Sequence, residues 1–358
     1  MKKLYQVGPK RSLKGGIATV INNINKSDII RNSYDIVNIE TINEKGNMAF
    51  LKSLINSFFI EKDSIVHFHV ASKGSFFRKY IIFNIVNSKS NKIFHLHGGG
   101  FLTFYDNSNK IIKRMIKKMI LKSDIIINVS DSMQNALIVK FPEIKNKCVR
   151  IYNSIDYKGT NFRFEEKENI ILFMGKLAEY KGIYDLLKSI CSIKDEIRKR
   201  GWNFKIAGNG EVEKVKKIIQ YNQLNDIVDV LGWIDGEEKN KLLEKSKIFI
   251  MPSHVESFGI AAIEAMEKGN LVIASDKGAL PEIIKNGEQG YIVKDKKDYS
   301  KVLLSTIDNE SDLYKICLNN IYYSKRYSEE VIFNQLLNTY KKLQEKIWKK
   351  IKFWFLWC

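Results

Sequence analysis

The segment 247 to 269, KIFIMPSHVESFGIAAIEAMEKG, runs from a strand-like apolar stretch through a polar loop into a helical pattern that stops at Gly269. The spacing predicts a helix starting near Ser257. The first amides of such a helix, from Phe258, Gly259 and Ile260, lack acceptors within it, and together with the helix dipole they offer a place to an anion. A glycine at 259 lets a phosphate come close. Glu264 follows Ser257 by seven residues, about 700° around the helix, so it returns to the same face. There its carboxylate can accept hydrogen bonds from a ribose diol beside the phosphate, while Glu256 points into the loop that precedes the helix. The competing reading pairs Glu264 with Lys268 on a solvated face, worth roughly 0.2–0.5 kcal/mol.

Two His-x-His pairs, His67/His69 and His95/His97, lie on strand-like runs, where residues two apart share a face. Zinc is the tempting chemistry, but neither pair has a third ligand at a recognisable spacing. Buried, hydrogen-bonded roles are therefore expected for His67, His69 and His95, with no metal. His254, in the loop before Glu256, reads as a local contact. No GxGxxG opens a helix after a strand, GNGEVE (208 to 213) stops short of one, and GxxxxGK[ST] is absent, so nicotinamide and P-loop readings drop out. Cys148, Cys191, Cys317 and Cys358 lie far apart without a CxxC, which excludes a disulfide framework and a cysteine zinc site and fits a reducing compartment.

The elements that must hold these residues alternate. Strand-like runs cover 3–7, 34–39, 64–70, 92–97, 124–130 and 148–153, then 169–175, 203–208, 228–232, 247–252, 271–275 and 290–293. Amphipathic stretches such as IYDLLKSI and KNKLLEKS lie between them, which predicts an α/β fold of two doubly wound parallel halves. A polar, charged stretch at 158–169 is the expected linker. In open sheets of this kind ligands sit beyond the carboxyl ends of the strands, so two of them facing each other would make a cleft. With 358 residues, 44% hydrophobic, 28% charged and only 4 prolines, the chain is expected to fold throughout as two domains. Its start has no apolar run, and no stretch approaches the ~20 apolar residues of a spanning helix, so neither secretion nor a transmembrane segment is expected.

Charge adds a partner. Lys and Arg number 59 against 40 Asp and Glu, for a net +19, which calls for acidic company. NKIIKRMIKKMILKSD (109 to 124) places Ile111, Ile112, Met115, Ile116, Met119 and Ile120 on one helical face, with Lys110, Lys113, Arg114, Lys117, Lys118 and Lys122 around the rest. The tail WKKIKFWFLWC (348 to 358) joins three tryptophans and two phenylalanines to three lysines. Both suit an anionic membrane surface, with the apolar face of the 109–124 helix expected against the sheet and its lysines toward lipid headgroups. Nucleic acid is not expected, since no recognised nucleic-acid fold or aromatic RNP-like pattern occurs.

The order PSxxESFGIAxxEAMxxG resembles the Glu-x7-Glu motif, here Glu256 to Glu264, of family 4 retaining glycosyltransferases, and GALPEIIKNGEQGYIV (278 to 293) is similar to the segment that follows it. KGGIATVINN (14 to 23) resembles the family's N-terminal glycine loop, HLHGGGF (95 to 101) its histidine segment, FMGKLAEYKG (173 to 182) its basic diphosphate grip, and LGWID (231 to 235) its nucleobase loop. Lys176 stands where arginine is commoner, which keeps the charge but loses the bidentate fork. The resemblance implies a GT-B fold: an acceptor-binding Rossmann-like domain over 1–160, with a helix at about 328–347 packing back on it, a nucleotide-sugar domain over 165–327, and the tail. It implies catalytic roles for His97, Glu256 and Lys181, and donor contacts from Gly15, Gly16, Lys176, Lys181, Trp233, Glu256, Phe258, Gly259, Ile260 and Glu264. The donor is expected to be a UDP-sugar used without metal, since no two aspartates lie two apart, and the acceptor a lipid-linked glycan of a capsule, exopolysaccharide or lipopolysaccharide at the inner face of the cell membrane. A UDP-sugar 2-epimerase of similar architecture and a non-catalytic membrane scaffold of polysaccharide assembly are the alternatives.

Overall fold

Each apolar run becomes a strand. The computed structural model describes residues 1–13, 15–43, 47–86, 88–159 and 162–355. The first six strands are β1 (Lys2–Pro9), β2 (Tyr34–Ile42), β3 (Ile65–Val70), β4 (Asn91–Leu96), β5 (Ile125–Asn128) and β6 (Cys148–Arg150). They form one parallel sheet in the order β2-β1-β3-β4-β5-β6. The next six are β7 (Glu168–Met174), β8 (Asn203–Ala207), β9 (Val228–Gly232), β10 (Ser246–Met251), β11 (Leu271–Ser275) and β12 (Gly290–Val293), in the order β12-β11-β10-β7-β8-β9, again parallel. Helices cover both faces, so the central strands are buried on both sides; every residue of β3 and of β10 is buried.

The order of strands reverses between β1 and β3 in the first sheet and between β7 and β10 in the second. Loops at the carboxyl ends of strands flanking such a reversal splay apart and leave a crevice, which is where doubly wound sheets take ligands. In the second sheet those loops are 175–182 and 252–259, and they carry the candidate lysines and glutamates.

The chain forms two compact units, Met1–Ser154 with Glu329–Cys358, and Ile155–Ser328. In the first, Val66, Phe68, Phe94 and Ile126 pack under the helices of one face. On the other face Leu4, Ile65, Ile93 and Ile127 meet Ile332, Phe333, Leu336 and Tyr340 of the long helix Glu329–Phe355. The core of the second unit is built from Ile171, Phe173, Ile206, Ile250 and Ile273. The stretch 158–169 is not the linker. The chain changes unit at 154/155, and Phe164 and Lys167 are buried in the second unit, where the Lys167 ammonium caps the helix Gly236–Lys245 by donating to the carbonyls of Glu244 and Ser246 at 2.8 Å. Apolar residues interleaved with the charges anchored a segment that its polarity marked as loose.

The basic helix spans Lys110–Lys122 and buries Ile116, Met119 and Ile120. Ile111, on its first turn, is exposed, whereas Ile112 and Met115 pack partly buried against the core. The backbone of the tail is helical to Phe355; residues 356–358, and the tail's side chains, lie outside the described residues. Among the described residues no helix is long and apolar enough to cross a membrane.

Candidate active site

β7 delivers Gly175 and Lys176 at its carboxyl end, and a single 3-10 turn, Glu179–Lys181, leads to Gly182 and the helix Ile183–Lys199. Gly182 has φ 72, and a Cβ there would fall 1.9 Å from the carbonyl oxygen of Pro252. Only glycine allows the loop after β7 to lie this close to the loop after β10. The backbone of His254 donates to the carbonyl of Tyr180 at 2.9 Å across the same contact. Lys181 and Glu256 then meet, Nζ to Oε2 at 2.7 Å, with side chains 24% and 13% exposed. The other carboxylate oxygen of Glu256 accepts the amide of Ser257 at 3.0 Å.

The helix after this loop spans Ile260–Glu267, three residues later than the spacing predicts. Gly259 is the reason: at φ 96 it cannot be a helical residue, and it turns the chain into the first turn. Ser257 and Glu264 therefore do not share one helix face. A Cβ on Gly259 would lie 2.9 Å from Leu280 Cδ2, so glycine at this position also serves packing. Phe258 is buried, its ring edge-on to Tyr327 at 5.9 Å, and it fixes the loop from beneath. The amides of Gly259 and Ile260 have no acceptor among the described residues.

Glu264 does not pair with Lys268, which is held by Glu244 at 2.9 Å and Glu267 at 3.4 Å. It pairs with Lys239 at 2.8 Å, across to the helix Gly236–Lys245. The two line a cavity of about 160 Å³ with Gly236, Asn240, Asp156 and Lys158. Trp233, just before that helix, is half-exposed and donates its indole N–H to Asp235 at 2.9 Å. Lys176 is exposed and has no ion-pair partner among the described residues.

Behind the Lys181–Glu256 contact stands Asp185, buried in the first turn of the helix Ile183–Lys199. It accepts from His254 Nε2 at 2.7 Å and meets Lys296 Nζ at 3.2 Å. Burial pushes its carboxyl up, but the hydrogen bonds from His254 and Lys296 outweigh that and hold it below the usual carboxylate range. His254, read from sequence as a local contact, is thus tied to the element that carries Lys181.

In the first unit, Gly15 has φ 145 and Gly16 opens the helix Gly16–Lys26; a Cβ added at either would meet nothing within 4 Å among the described residues. Lys14 lies outside the described residues. His97 follows β4 and joins a ladder of four imidazoles from two adjacent strands. His69 Nδ1 lies 2.9 Å from His97 Nε2, His67 Nε2 lies 2.9 Å from His95 Nδ1, and His67 Nδ1 lies 2.7 Å from the Tyr340 hydroxyl. His69 Nε2 is bonded to the Gln6 side-chain oxygen. That oxygen only accepts, so His69 carries its proton on Nε2, takes the N–H of His97 on Nδ1, and leaves a lone pair on His97 Nδ1. Burial, then the charge of Lys79, pushes the His97 imidazole down to about 3; burial first, then neighbouring imidazoles, holds the other three far below the usual value. The ligand-type nitrogens of His67, His69 and His95 come within 4.8 Å of one another, yet the rings of His67 and His69 stack at 4.2 Å and the nitrogens facing each other are engaged in hydrogen bonds.

The second unit therefore gathers Lys181, Glu256 and the amides at Gly259 and Ile260, with Lys176 on the adjoining loop and Glu264 and Trp233 beside the helix Gly236–Lys245. His97, Gly15 and Gly16 belong to the first unit. Sequence reasoning missed Lys239 and Asp185. Lys239 sat inside KNKLLEKS with nothing to set it apart from other lysines, whereas Asp185, an acid on the apolar face of IYDLLKSI, was a legible signal of a buried partner.

Residues 159–327 match the family model of glycosyl transferases group 1. An uncharacterized 41.2 kDa protein in the cps region of Klebsiella pneumoniae is 27% identical over 318 residues, covering 82% of this chain and 86% of its own. An uncharacterized glycosyltransferase of Methanocaldococcus jannaschii is 27% identical over 328 residues, covering 88% and 87%. Among solved structures, Anabaena HepE in complex with UDP and glucose superposes with a TM-score of 0.74 at 15% identity, covering 96% of this chain and 100% of that one. By its two Rossmann-like units the chain has the GT-B fold, and its second unit carries the stretch that matches glycosyl transferases group 1.

Proposed function

We propose that this protein is a retaining, metal-independent enzyme of glycosyltransferase family 4 that moves a sugar from a UDP-linked donor to a lipid-linked glycan during capsule, exopolysaccharide or lipopolysaccharide synthesis. The observation that carries the reading is the meeting of Lys181 and Glu256 at the reversal point of the second sheet, beside a helix start where the amides of Gly259 and Ile260 have no acceptor among the described residues. HepE was solved with UDP and glucose, and the Klebsiella relative comes from a cps region; both agree with it.

The chemistry follows from where charge develops. As the bond from sugar to phosphate breaks, negative charge grows on the leaving diphosphate, and fixed positive groups aimed at it lower the barrier. Lys181, Lys176 and the amides of Phe258 to Ile260 are assigned that task. Glu264, shared with Lys239, takes the ribose hydroxyls, and Trp233 lies by the base. Glu256 orients hydroxyls of the transferring sugar, and neutral His97 offers the lone pair on Nδ1 to the sugar or acceptor. No side chain is assigned as a covalent nucleophile; the leaving phosphate itself would draw the acceptor proton on the same face, which retains configuration.

A membrane surface is the proposed site of work, on the inner face of the cell membrane. The helices Asn47–Phe58, Gly74–Ile85 and Lys110–Lys122 lie side by side over one face of the first sheet. Leu51, Ile55 and Phe58 are exposed at helical spacing on the first of them, with exposed Phe59 just past its end, and the last presents Lys113, Arg114, Lys117 and Lys118. An exposed apolar stripe beside a cationic helix suits anionic lipid.

The test is a panel of UDP- and other nucleotide-sugars incubated with purified protein, with and without membrane lipid extract. Release of UDP only when lipid extract is present supports the reading. Conversion of a UDP-sugar without acceptor would make the protein an epimerase, and absence of nucleotide binding would make it a scaffold; either outcome overturns it.

A further inference from the structure

Beyond β3 the first unit holds two cations that the donor chemistry does not use. The chain leaves Val70, turns through Lys73 at φ 52 and enters the helix Gly74–Ile85. Phe76, Lys79, Ile82 and Phe83 are its buried residues, so a lysine occupies a position that the helical period reserves for an apolar side chain. Lys79 is 1% exposed. Side chains on a helix lean toward its start, and this one brings Nζ to Ser75 Oγ at 2.9 Å, its sole hydrogen bond among the described residues.

Arg78 leans over the same first turn. Its Nη1 is 3.3 Å from where a Cβ on Gly74 would stand, and its Nε is shut off from water with no hydrogen-bond partner among the described residues. Neither cation forms an ion pair with a carboxylate among the described residues. Burial, and then the adjacent Arg78 charge, pushes the Lys79 ammonium down to about 7. Just past the neighbouring strand β4, Gly98 packs its Cα side against Ala71, with an added Cβ 3.3 Å from the alanine Cβ, so the loop after β4 borders the same corner. The Lys79 charge is felt by both His97 and His69.

A buried ammonium whose only partner is a hydroxyl costs stability that a methionine of similar length would not. Two such cations at a helix start, at the carboxyl end of a strand flanking the reversal point, lack one thing, which is an anion. We propose that Arg78, Lys79 and the first turn of the helix Gly74–Ile85 form an oxyanion site for the phosphate or pyrophosphate group that links the acceptor glycan to its lipid. The guanidinium supplies a fork for two oxygens, the ammonium a point charge for a third, and the helix start a dipole of the same sign. Naming the acceptor as the source of the anion rests on the proposed function; the oxyanion site itself stands on the geometry.

The experiment is isothermal titration of inorganic pyrophosphate into the full chain carrying Lys181→Ala, which weakens the candidate donor grip so that it does not dominate the signal. Adding Arg78→Gln or Lys79→Met is expected to weaken binding at least tenfold. Lys79→Met is also expected to raise Tm in the absence of anion and to abolish the upward shift that pyrophosphate causes. Unchanged affinity in both variants, or a lower Tm for Lys79→Met with pyrophosphate stabilisation intact, overturns the site. A parallel arm measures binding to phosphatidylglycerol vesicles: loss there with pyrophosphate affinity unchanged would assign the cations to lipid headgroups and overturn the proposal as stated. UDP binding to the wild-type chain is scored separately. Failure of UDP to bind, with pyrophosphate still held through Arg78 and Lys79, sinks the proposed function and leaves the oxyanion site.

Discussion

Lys181 Nζ stands 2.7 Å from Glu256 Oε2, joining the loop that follows β7 to the loop that follows β10. The contact fixes the cation beside the helix start at Ile260 while neutralising it, so a diphosphate entering here must draw Lys181 from the carboxylate or share it. Under the proposed function that exchange would free Glu256 for the hydroxyls of the incoming sugar.

Lys181→Ala is therefore expected to reduce kcat by about 100- to 1000-fold, the range for removing one well-aimed charge-stabilising group. Glu256→Ala should fall in the same range, and the double variant should lose much less than the product of the two, because the residues touch. Steady-state rates of UDP release, with Tm as the check on folding, decide it; strict multiplicativity would break the link.

Glu264 and Lys239 share a 2.8 Å ion pair on the wall of the small cavity. Glu264→Ala should sharply reduce transfer, and weaken UDP binding by about 1.5–3 kcal/mol if it holds the ribose through charged hydrogen bonds. Lys239→Met should shift UDP affinity less, since it only orients the carboxylate. Calorimetry with UDP and with uracil separates the two roles: uracil binding should ignore both substitutions.

For His97, burial and then the Lys79 charge hold the imidazole near 3, far under its usual value of 6.5. It stays neutral from pH 5 to 8. The pH profile of kcat/KM is expected to show no limb near 6.5 that disappears in His97→Gln; such a limb would mean that the histidine acts charged.

Asp185 carries a stability signature. Its carboxyl is raised by burial and lowered more strongly by hydrogen bonds from His254 and Lys296, for a net depression below 3.8. A depressed carboxyl adds stability that is complete above its unfolded value and lost as pH falls through the folded one. Asp185→Asn is expected to cost about 1–3 kcal/mol at pH 7, and the gap in Tm from wild type should close only below about pH 4. A gap that closes between pH 7 and 5 would point to another group.

Lys79 runs the other way. Its folded value, about 7, lies below the ordinary 10.5, so between those values the unfolded chain holds a proton that the folded chain has released, and stability rises with pH. The advantage of Lys79→Met over wild type should be largest at pH 7 and below, and shrink toward pH 10, with Arg78, His69 and His97 the charged or titratable neighbours that shape the curve.

The sequence by itself determined the twelve strands, because strands buried on both faces must be apolar along their whole length, and runs such as IVHFHV and SKIFIM leave little choice. Its resemblance to family 4 glycosyltransferases marked Lys181, Glu256 and Glu264 as candidates. Tertiary structure decided what these residues touch. Gly182 can lie against Pro252 only when two loops distant in sequence close on each other, and that approach made Glu256 the partner of Lys181. The helix start moved from Ser257 to Ile260 because Gly259 adopts a left-handed turn that packs on Leu280, a contact no local pattern contains. Glu264 passed over Lys268, four residues away, for Lys239 on another helix, and the buried Lys79, with the partly buried Arg78 beside it, emerged only once the elements of the first unit enclosed it. Periodicity records which face a residue turns inward; which charges meet there depends on elements brought together from far along the chain.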